Sequence, residues 1–362
     1  DTLKVSSGTD LSGLTLVGVE QLDGSGGYLE YSAGELNAFG FTHLKNVFIK
    51  IDGSLSEGGT LDVSGFSGAV NLQGTNQSDT LIGNDDNNII RLLSDEKTGN
   101  GLGVDTVNAG GGDDTILWNT RQYEQWSDFF SSADNATQTY FIEGVVDGGD
   151  GNDELVLSFD YIVPNSPSLS NNYNNDHWYH AWGDNTWNND GSIDVFSVDL
   201  SKLSLTDIEV VSATGYNVNR SWQFPAEFIF SNAQLTDLTS LNGFKAISVV
   251  GGGTLDLTHI ASLTSATWTI GDAEAYTISG SSLADSIELA SGAMTVNAGD
   301  GDDVITMRDR TVVTDTLDGG GGNDTLRIYG SAVDLSQANL SGIENISANS
   351  KSLALTQAQF AS

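Results

Sequence analysis

Four short glycine-rich stretches of the chain share one pattern. Each closes on an aspartate that is followed two residues later by Ile or Leu, and they span residues 108–114, 147–153, 297–303 and 318–324. Calcium takes about six to eight oxygen ligands, which peptide carbonyls and a few carboxylates can supply if the backbone curls tightly. Glycine permits the positive φ angles that such curling requires. The four stretches therefore predict calcium-binding turns.

The predicted ligands of several calcium ions are the closing aspartates, the glycines and the first residues of these turns, together with aspartates at related spacing. Asp105 lies nine residues before Asp114, and Asp285 lies eighteen before Asp303, which correspond to half a coil and one coil of a flattened solenoid. Aspartates one coil apart would stack and share an ion. The full set is Asp79, Asp105, Asn108, Gly110, Gly112, Asp114, Asp147, Gly149, Gly151, Asp153, Asp285, Asn297, Gly299, Gly301, Asp303, Asp315, Asp318, Gly320, Gly322 and Asp324.

The four turns resemble the calcium-binding nonapeptides of the repeats-in-toxin (RTX) family, with alanine at the first glycine position in two of them. The resemblance covers the turns and their flanks, which is under half of the chain. It implies a secreted bacterial protein that leaves the cell unfolded through type I secretion and folds when it meets extracellular calcium.

The composition agrees with bound cations. The chain has 49 Asp and Glu against 13 Lys and Arg, a formal net charge of −36, and no cysteine. Such a charge opposes compaction unless something neutralises it. Nucleic acid is excluded as a partner because clustered basic residues are missing, and no apolar stretch has the length of a transmembrane segment. Solubility or adaptation to salt remains the alternative explanation of the acidity.

A longer repeat is superimposed on the turns. An eleven-residue phrase beginning Asp-Leu-Ser and ending in Glu occupies residues 10–20, 199–209 and 334–344. We therefore expect a first module at 1–198 with insertions near 91–104, 118–143 and 158–196, a second at 199–333, and the start of a third at 334–362. Because the third module breaks off, the sequence is expected to be a piece of a longer repetitive protein.

Short alternating strands separated by Gly, Asn, Asp and Ser dominate the rest of the sequence. Helical periodicity is scarce, with single turns near 32–40 and 231–238. The predicted fold is all-β: an elongated right-handed parallel β-solenoid, of the β-helix or calcium β-roll kind, with loop insertions. Strands of such a fold bury one continuous apolar row and need no helix-sized core.

The insertion near 158–196 carries three of the seven tryptophans. Trp178, Tyr179, Trp182 and Trp187 could contact a glycan or peptide, or could instead cover the flank of the solenoid. Asp190 and Asp194 resemble part of an isolated calcium loop. His177 and His180, with Asp176, form a weak transition-metal candidate.

The sequence favours a structural role at the bacterial cell surface, as a surface-layer lattice or adhesin segment that folds, and self-assembles, on binding calcium. The alternative is an adhesin module that binds surface glycans or peptides through the tryptophan-rich insertion. No enzyme is predicted because the common catalytic motifs are missing, although a polysaccharide-modifying β-helix is a third, weaker reading. Ice binding is not favoured, since no regular row of exposed threonines is evident.

Overall fold

The computed structural model describes residues 1–6, 17–24, 28–30, 40–51, 58–75, 77–95, 104–121, 138–158, 196–214, 225–263, 266–270, 274–289, 293–308, 313–350 and 352–359. The chain divides into two compact units. The first comprises Asp1–Phe196 and Leu203–Pro225, and the second comprises Ser197–Lys202 and Ala226–Ser362. Much of the three predicted insertions lies outside the described residues.

The described residues form short strands and one 3-10 helix, Asn232–Leu235. In chain order the strands are β1 (Thr2–Lys4), β2 (Gln21–Asp23), β3 (Tyr28–Glu30), β4 (His43–Lys45), β5 (Val47–Lys50), β6 (Thr60–Asp62), β7 (Val70–Gln73), β8 (Thr80–Ile82), β9 (Ile89–Asp95), β10 (Asp105–Asn108), β11 (Thr115–Arg121), β12 (Gln138–Phe141), β13 (Gly144–Asp147), β14 (Glu154–Ser158), β15 (Phe196–Asp199), β16 (Leu203–Thr206), β17 (Val210–Thr214), β18 (Pro225–Ser231), β19 (Ser240–Asn242), β20 (Ala246–Val250), β21 (Gly253–Asp256), β22 (Ser262–Leu263), β23 (Thr267–Ile270), β24 (Tyr276–Ser279), β25 (Ser286–Leu289), β26 (Met294–Asn297), β27 (Val304–Arg308), β28 (Thr316–Asp318), β29 (Thr325–Gly330), β30 (Val333–Asp334), β31 (Asn339–Ser341), β32 (Asn345–Ser350) and β33 (Leu353–Ala354).

The first unit is built from parallel sheets. One has the strand order β16-β13-β10-β8-β6, and another runs β17-β14-β11-β9-β7-β5-β3, while β1, β2 and β4 form a smaller one. Every neighbouring pair in these runs is parallel. Strands that are consecutive in sequence, such as β10 and β11, therefore lie in different sheets, so the chain winds as successive coils.

The second unit repeats this arrangement. One sheet contains β15-β18-β20-β23-β25-β27-β29-β32 and the other β21-β24-β26-β28-β31, with shorter pairs β19-β22 and β30-β33. Neighbouring strands from β18 to β32 and from β21 to β31 are parallel. The prediction of an all-β parallel solenoid is confirmed. The single helical turn expected near 231–238 is present as the 3-10 helix.

The core is an apolar row in register from coil to coil. Ile116 pairs with Ile90 on one side and with Leu155 on the other, and all three are fully buried. In the second unit Ile305 lies between Ile287 and Leu326 in the same way. Each such side chain stabilises the fold by about 1.5–3 kcal/mol. The apolar residue after each closing aspartate therefore anchors its turn to the core.

The longer repeat has a structural explanation that needs no metal. The Oδ1 atoms of Asp199 and Asp334 accept hydrogen bonds from the N–H groups of Ser201 and Ser336 at 2.8 and 2.9 Å. Gln234 of the 3-10 helix then donates from Nε2 to the Leu200 carbonyl at 2.6 Å. The Asp-Leu-Ser phrase is thus a turn closed by its own aspartate and held by a buried glutamine.

Candidate metal centre

The residues that close successive turns, four of them glycine-rich, stack along each unit. The first ladder consists of Asn88, Asp114, Asp153 and Glu209, and the second of Asp285, Asp303, Asp324 and Glu344. In both ladders an acidic side chain accepts a hydrogen bond from the backbone N–H of the preceding member. The donor to acceptor distances are 2.6, 2.7 and 2.7 Å in the first ladder and 2.7, 2.8 and 2.8 Å in the second.

Each ladder aspartate uses only one carboxylate oxygen for this bond or for its own turn. The second oxygen is buried. In Asp114, Asp153, Asp303 and Asp324 this oxygen is Oδ2 and has no hydrogen-bond partner, whereas Asp285 has the indole side chain of Trp268 as a neighbouring donor. The five side chains are at most 2% exposed. A buried carboxylate oxygen without a partner is costly unless a cation or donor meets it. The residues thus fit a hard cation that prefers oxygen, as calcium does.

Glycine is required where successive turns touch. Gly149 has φ +88°, and a Cβ built on it would lie 1.9 Å from the Gly110 carbonyl oxygen of the preceding coil. Gly320 has φ +93° and would place its Cβ 1.9 Å from the Gly299 oxygen. The left-handed conformation and the close approach of carbonyls both exclude a side chain. The repeated glycines therefore allow peptide oxygens of adjacent coils to gather beside the ladder.

The electrostatics of the ladders oppose ionisation without a cation. Burial raises the pKa of Asp114 to about 7, with a further rise from the charge of Asp153, although the Asn88 hydrogen bond lowers it. Burial likewise raises the pKa of Asp303 to about 7, and the charges of Asp285 and Asp324 add to the rise. The pKa values of Asp153 and Asp285 are also raised, mainly by burial.

Three predicted aspartates, Asp79, Asp105 and Asp315, lie at turns on the side of the coil opposite to the ladders. Asp105 starts β10, whereas Asp114 follows its end, so the two occupy opposite turns of one coil. Asp105 accepts the Asp79 N–H at 2.8 Å, and burial raises its pKa to about 7. Asp315 accepts the Met294 N–H at 3.1 Å.

Asp79 is surrounded by protein donors. Its Oδ1 accepts the Gly59 N–H at 2.8 Å, and its Oδ2 accepts both the N–H and the hydroxyl of Thr75. The Oδ2 atom of Asp285 has the same pair of bonds from Ser281, at 2.8 and 3.0 Å. In both turns a residue with a hydroxyl group, Thr75 or Ser281, takes the position of the second glycine of a glycine-rich turn and donates hydrogen bonds to the closing aspartate.

The remaining predicted ligands sit where the structure starts each turn or within it. Asn108 pairs with Asp147, and Asn297 with Asp318, at the last positions of β10, β13, β26 and β28. The Oδ1 atom of Asp147 is buried without a partner. The predicted Asp190 and Asp194, the aromatic residues Trp178, Tyr179, Trp182 and Trp187, and the group Asp176, His177 and His180 lie outside the described residues.

Two acidic ladder residues were missed by the sequence reasoning. Glu209 and Glu344 each end one copy of the eleven-residue phrase. A residue in the left-handed conformation lies two positions before each glutamate: Asp207 at φ 49° before Glu209, and Gly342 at φ 59° before Glu344. The turn before each glutamate is shorter than a glycine-rich turn. The additional methylene of glutamate lets its carboxylate reach the same backbone donor. The shared final Glu of the phrase was the available signal.

A second row of polar residues was also missed. Thr254, Thr277, Thr295 and Thr316 pair in register across β21, β24, β26 and β28 and line one cavity of about 360 Å³. A regular threonine row therefore exists in the second unit. It was hidden because the spacing between its members varies along the sequence.

Among the described residues, no three His, Cys, Asp or Glu side chains converge closely enough to hold a metal by themselves. Any cation here would need peptide carbonyls in addition to the carboxylates, which the glycine-rich turns supply. Over the same part of the chain, no helix has the length and apolar character needed to cross a membrane.

Comparison with known proteins agrees with this geometry. The family model of the RTX calcium-binding nonapeptide repeat, with four copies, matches residues 64–95, 101–117 and 314–327. Neither the curated proteins nor the solved structures gave a match. The matched residues include turns of both ladders, and the turns at 147–153 and 297–303 share their hydrogen bonds. The chain therefore carries RTX-type calcium-binding repeats in both of its units.

Proposed function

We propose that this chain is a calcium-dependent structural segment of a secreted bacterial cell-surface protein, and that it folds on binding extracellular calcium. The observation that carries the proposal is the buried, unpartnered Oδ2 atom on four of the ladder aspartates. Asp114, Asp153, Asp303 and Asp324 would hold calcium through these oxygens, and carbonyls of the glycine-rich turns would complete each shell. Calcium would neutralise the negative charge of these buried carboxylates.

Calcium dependence follows from the balance of charges. The net charge of −36 and the stacked acidic ladders both repel themselves in the folded chain. A cation that binds only the folded state adds its binding free energy to the stability of that state. Folding would therefore be coupled to calcium in the millimolar surroundings of a secreted protein. Asp79 has a structural role in this proposal because protein donors satisfy both of its oxygens.

A lattice or stalk is the use that repeated coils favour, because each coil contacts its neighbours and the array can be lengthened by repetition. Self-assembly of the chain would be the mark of a surface-layer lattice. The alternative, recognition of surface glycans through Trp182 and Trp187, rests on residues outside the described part of the chain.

The proposal is tested by a calcium titration of the chelated chain, followed by circular dichroism and light scattering, with magnesium as the control ion. A cooperative gain of β signal with calcium alone is expected, since magnesium demands a stricter geometry and gives up its water reluctantly. Growth of scattering along with the β signal would support a lattice. A chain that is fully folded in chelator and unchanged by calcium would contradict the proposal.

A further inference from the structure

One turn of the first ladder differs from the glycine-rich turns in what fills its centre. The turn Gly83–Asn88 begins the first ladder, and the RTX family model includes it among its repeats. It closes on an asparagine where the following turns close on Asp114 and Asp153. The Asn88 side chain is 1% exposed, so its amide must find its partners within the protein.

The amide nitrogen of Asn88 lies among oxygens of two coils. Within its own turn Nδ2 donates to the Asn84 carbonyl at 3.2 Å and to the Asp86 carbonyl. Toward the next coil it faces the Ala109 carbonyl at 3.4 Å and the Asp114 Oδ1 atom at 3.3 Å. Three peptide oxygens and one carboxylate oxygen thus surround a single NH2 group.

That set of oxygens is the kind that calcium takes between two stacked turns. An amide NH2 carries two donor hydrogens and a partial positive charge, so without an ion it can donate to two of these oxygens and attract the others. Backbone N–H groups also reach two of them, because Gly111 donates to the Asn84 carbonyl and Asn88 to Asp114 Oδ1. One coil further on, the equivalent residue is Asp114, which has no donor to offer. Both side chains keep one buried oxygen without a hydrogen-bond partner, Oδ1 in Asn88 and Oδ2 in Asp114, so they differ in the NH2 group that Asn88 adds and in the charge of Asp114. The two turns therefore solve the same electrostatic problem in different ways.

The same device joins the coil before. The Asn84 amide donates from Nδ2 to the Phe66 carbonyl at 3.1 Å and to the Gly68 carbonyl at 3.0 Å. Asn84 Oδ1 in turn accepts the Asp86 N–H at 3.1 Å and holds the turn in shape. Two successive gaps between coils are thus bridged by asparagine amides.

We propose that the Asn88 amide takes the place of a calcium ion, so that the turn Gly83–Asn88 stacks on the turn before Asp114 without metal. The inference rests on the proposed function, because it assigns one turn of the first ladder to protein donors and leaves the later ones to calcium. The first ladder then begins on a metal-independent coil, and its first calcium is held beyond Asp114.

The test is a gain of calcium. Asn88→Asp removes the amide donor and restores a closing aspartate, so it should bind one more calcium ion per chain than the parent chain, as counted by native mass spectrometry and isothermal titration calorimetry. The variant should also have less β signal than the parent in chelator. The matched control is Asn87→Asp, an exposed neighbour with the same change of charge, which should bind the parental number of ions.

A reciprocal pair keeps the inference testable if Asn88→Asp fails to fold. Asp114→Asn should lose one calcium yet retain more β signal in chelator than either Asp114→Ala or the parent chain. Asp114→Ala has the same charge as the asparagine variant, and the parent has the same acceptor for the Asn88 N–H, but only the asparagine can donate to the turn oxygens. Equal calcium counts for Asn88→Asp and the parent, or a chelator sensitivity of Asp114→Asn equal to that of the parent, would overturn the inference while leaving calcium binding intact. A parent chain that binds no calcium would overturn the proposed function, and this inference with it.

Discussion

The two oxygens of a ladder aspartate have different partners. In Asp303, Oδ1 accepts the Asp285 N–H of the preceding coil, while Oδ2 is buried without a protein partner. The first oxygen fixes the stacking of coils, and the second is available to a cation. One side chain thus joins the structural ladder to the proposed metal site. Because its role depends on the backbone donor of the preceding coil, a pair of aspartates in the sequence is not enough to identify the site.

Replacing Asp303 by asparagine separates these two roles. Asp303→Asn keeps an oxygen that can accept the Asp285 N–H but removes the negative charge. We expect the loss of one bound calcium, or a weakening of that site by roughly tenfold or more, because the number of charged ligands tunes calcium affinity. Isothermal titration calorimetry measures both the affinity and the number of sites.

The control for this variant is Asp302→Asn. Asp302 is exposed, and its Oδ1 accepts the Asn323 N–H at 2.9 Å on the outer side of the turn. The charge change is the same in both variants, so the control should keep every calcium site. Equal loss of calcium in the two variants would mean that overall charge, and not the buried oxygen of Asp303, governs binding.

At the scale of elements, contact between successive coils limits which residues a glycine-rich turn can contain. Gly320→Ala places a methyl group 1.9 Å from the Gly299 oxygen at a φ of +93°. We expect the calcium-loaded protein to lose about 2–4 kcal/mol in its free energy of unfolding. Gly65→Ala should change it by less than about 1 kcal/mol, since nothing lies within 4 Å of a Cβ at Gly65. Urea unfolding in calcium measures both values, and similar losses would contradict the stacking argument.

The turns and the fold class could be predicted from sequence because both depend on local patterns. A glycine-rich turn needs particular φ angles, and the apolar residue two positions after Asp114 or Asp303 must enter the core. Asp79 and Asp285, two of the predicted ligands, differ in a way that the sequence does not reveal. Both turns are closed by a hydroxyl, but Asp285 lies in a ladder, whereas Asp79 bonds to Gly59 and to Asp105 on the opposite side of its coil.

Register between distant strands could not be read from sequence. Glu209 reaches Asp153 over 56 residues, and Glu344 reaches Asp324 over 20. The row from Thr254 to Thr316 depends on the pairing of four strands whose connecting segments differ in length. Loop length is only weakly constrained by the free energy of closure, so equal places in successive coils do not recur at equal intervals.

For the whole molecule, the net charge of −36 and the raised pKa values of the ladder aspartates both mean that the folded chain without metal is destabilised when its carboxylates ionise. The pKa values of Asp114 and Asp303 are about 7 in the folded chain without metal, above the value of about 3.9 in an unfolded chain. The folded state therefore binds more protons between these values, and its stability falls as pH rises through 7. Acid should partly replace calcium.

We accordingly expect the chelated protein to become more stable between about pH 8 and pH 5, the opposite of ordinary acid unfolding. Calcium affinity should fall over the same range because protons compete for the ladder carboxylates. Urea unfolding in chelator and calcium titrations at matched pH values measure the two effects. A chelated protein that loses stability steadily on acidification would show that these carboxylates do not control folding.

The ladder hydrogen bonds give the coil array a direction. Each closing carboxylate bonds to a backbone donor of the coil before it in sequence, so every coil is completed by its successor, as Asp153 is by Glu209 and Asp324 by Glu344. If coils are duplicated or deleted during evolution, each backbone donor of a ladder keeps its acceptor only when the next coil on the C-terminal side supplies an aspartate or the terminating glutamate. Lengthening of such arrays is expected to proceed by insertion ahead of the glutamate, with the Glu-ended phrase retained as the fixed boundary of each ladder.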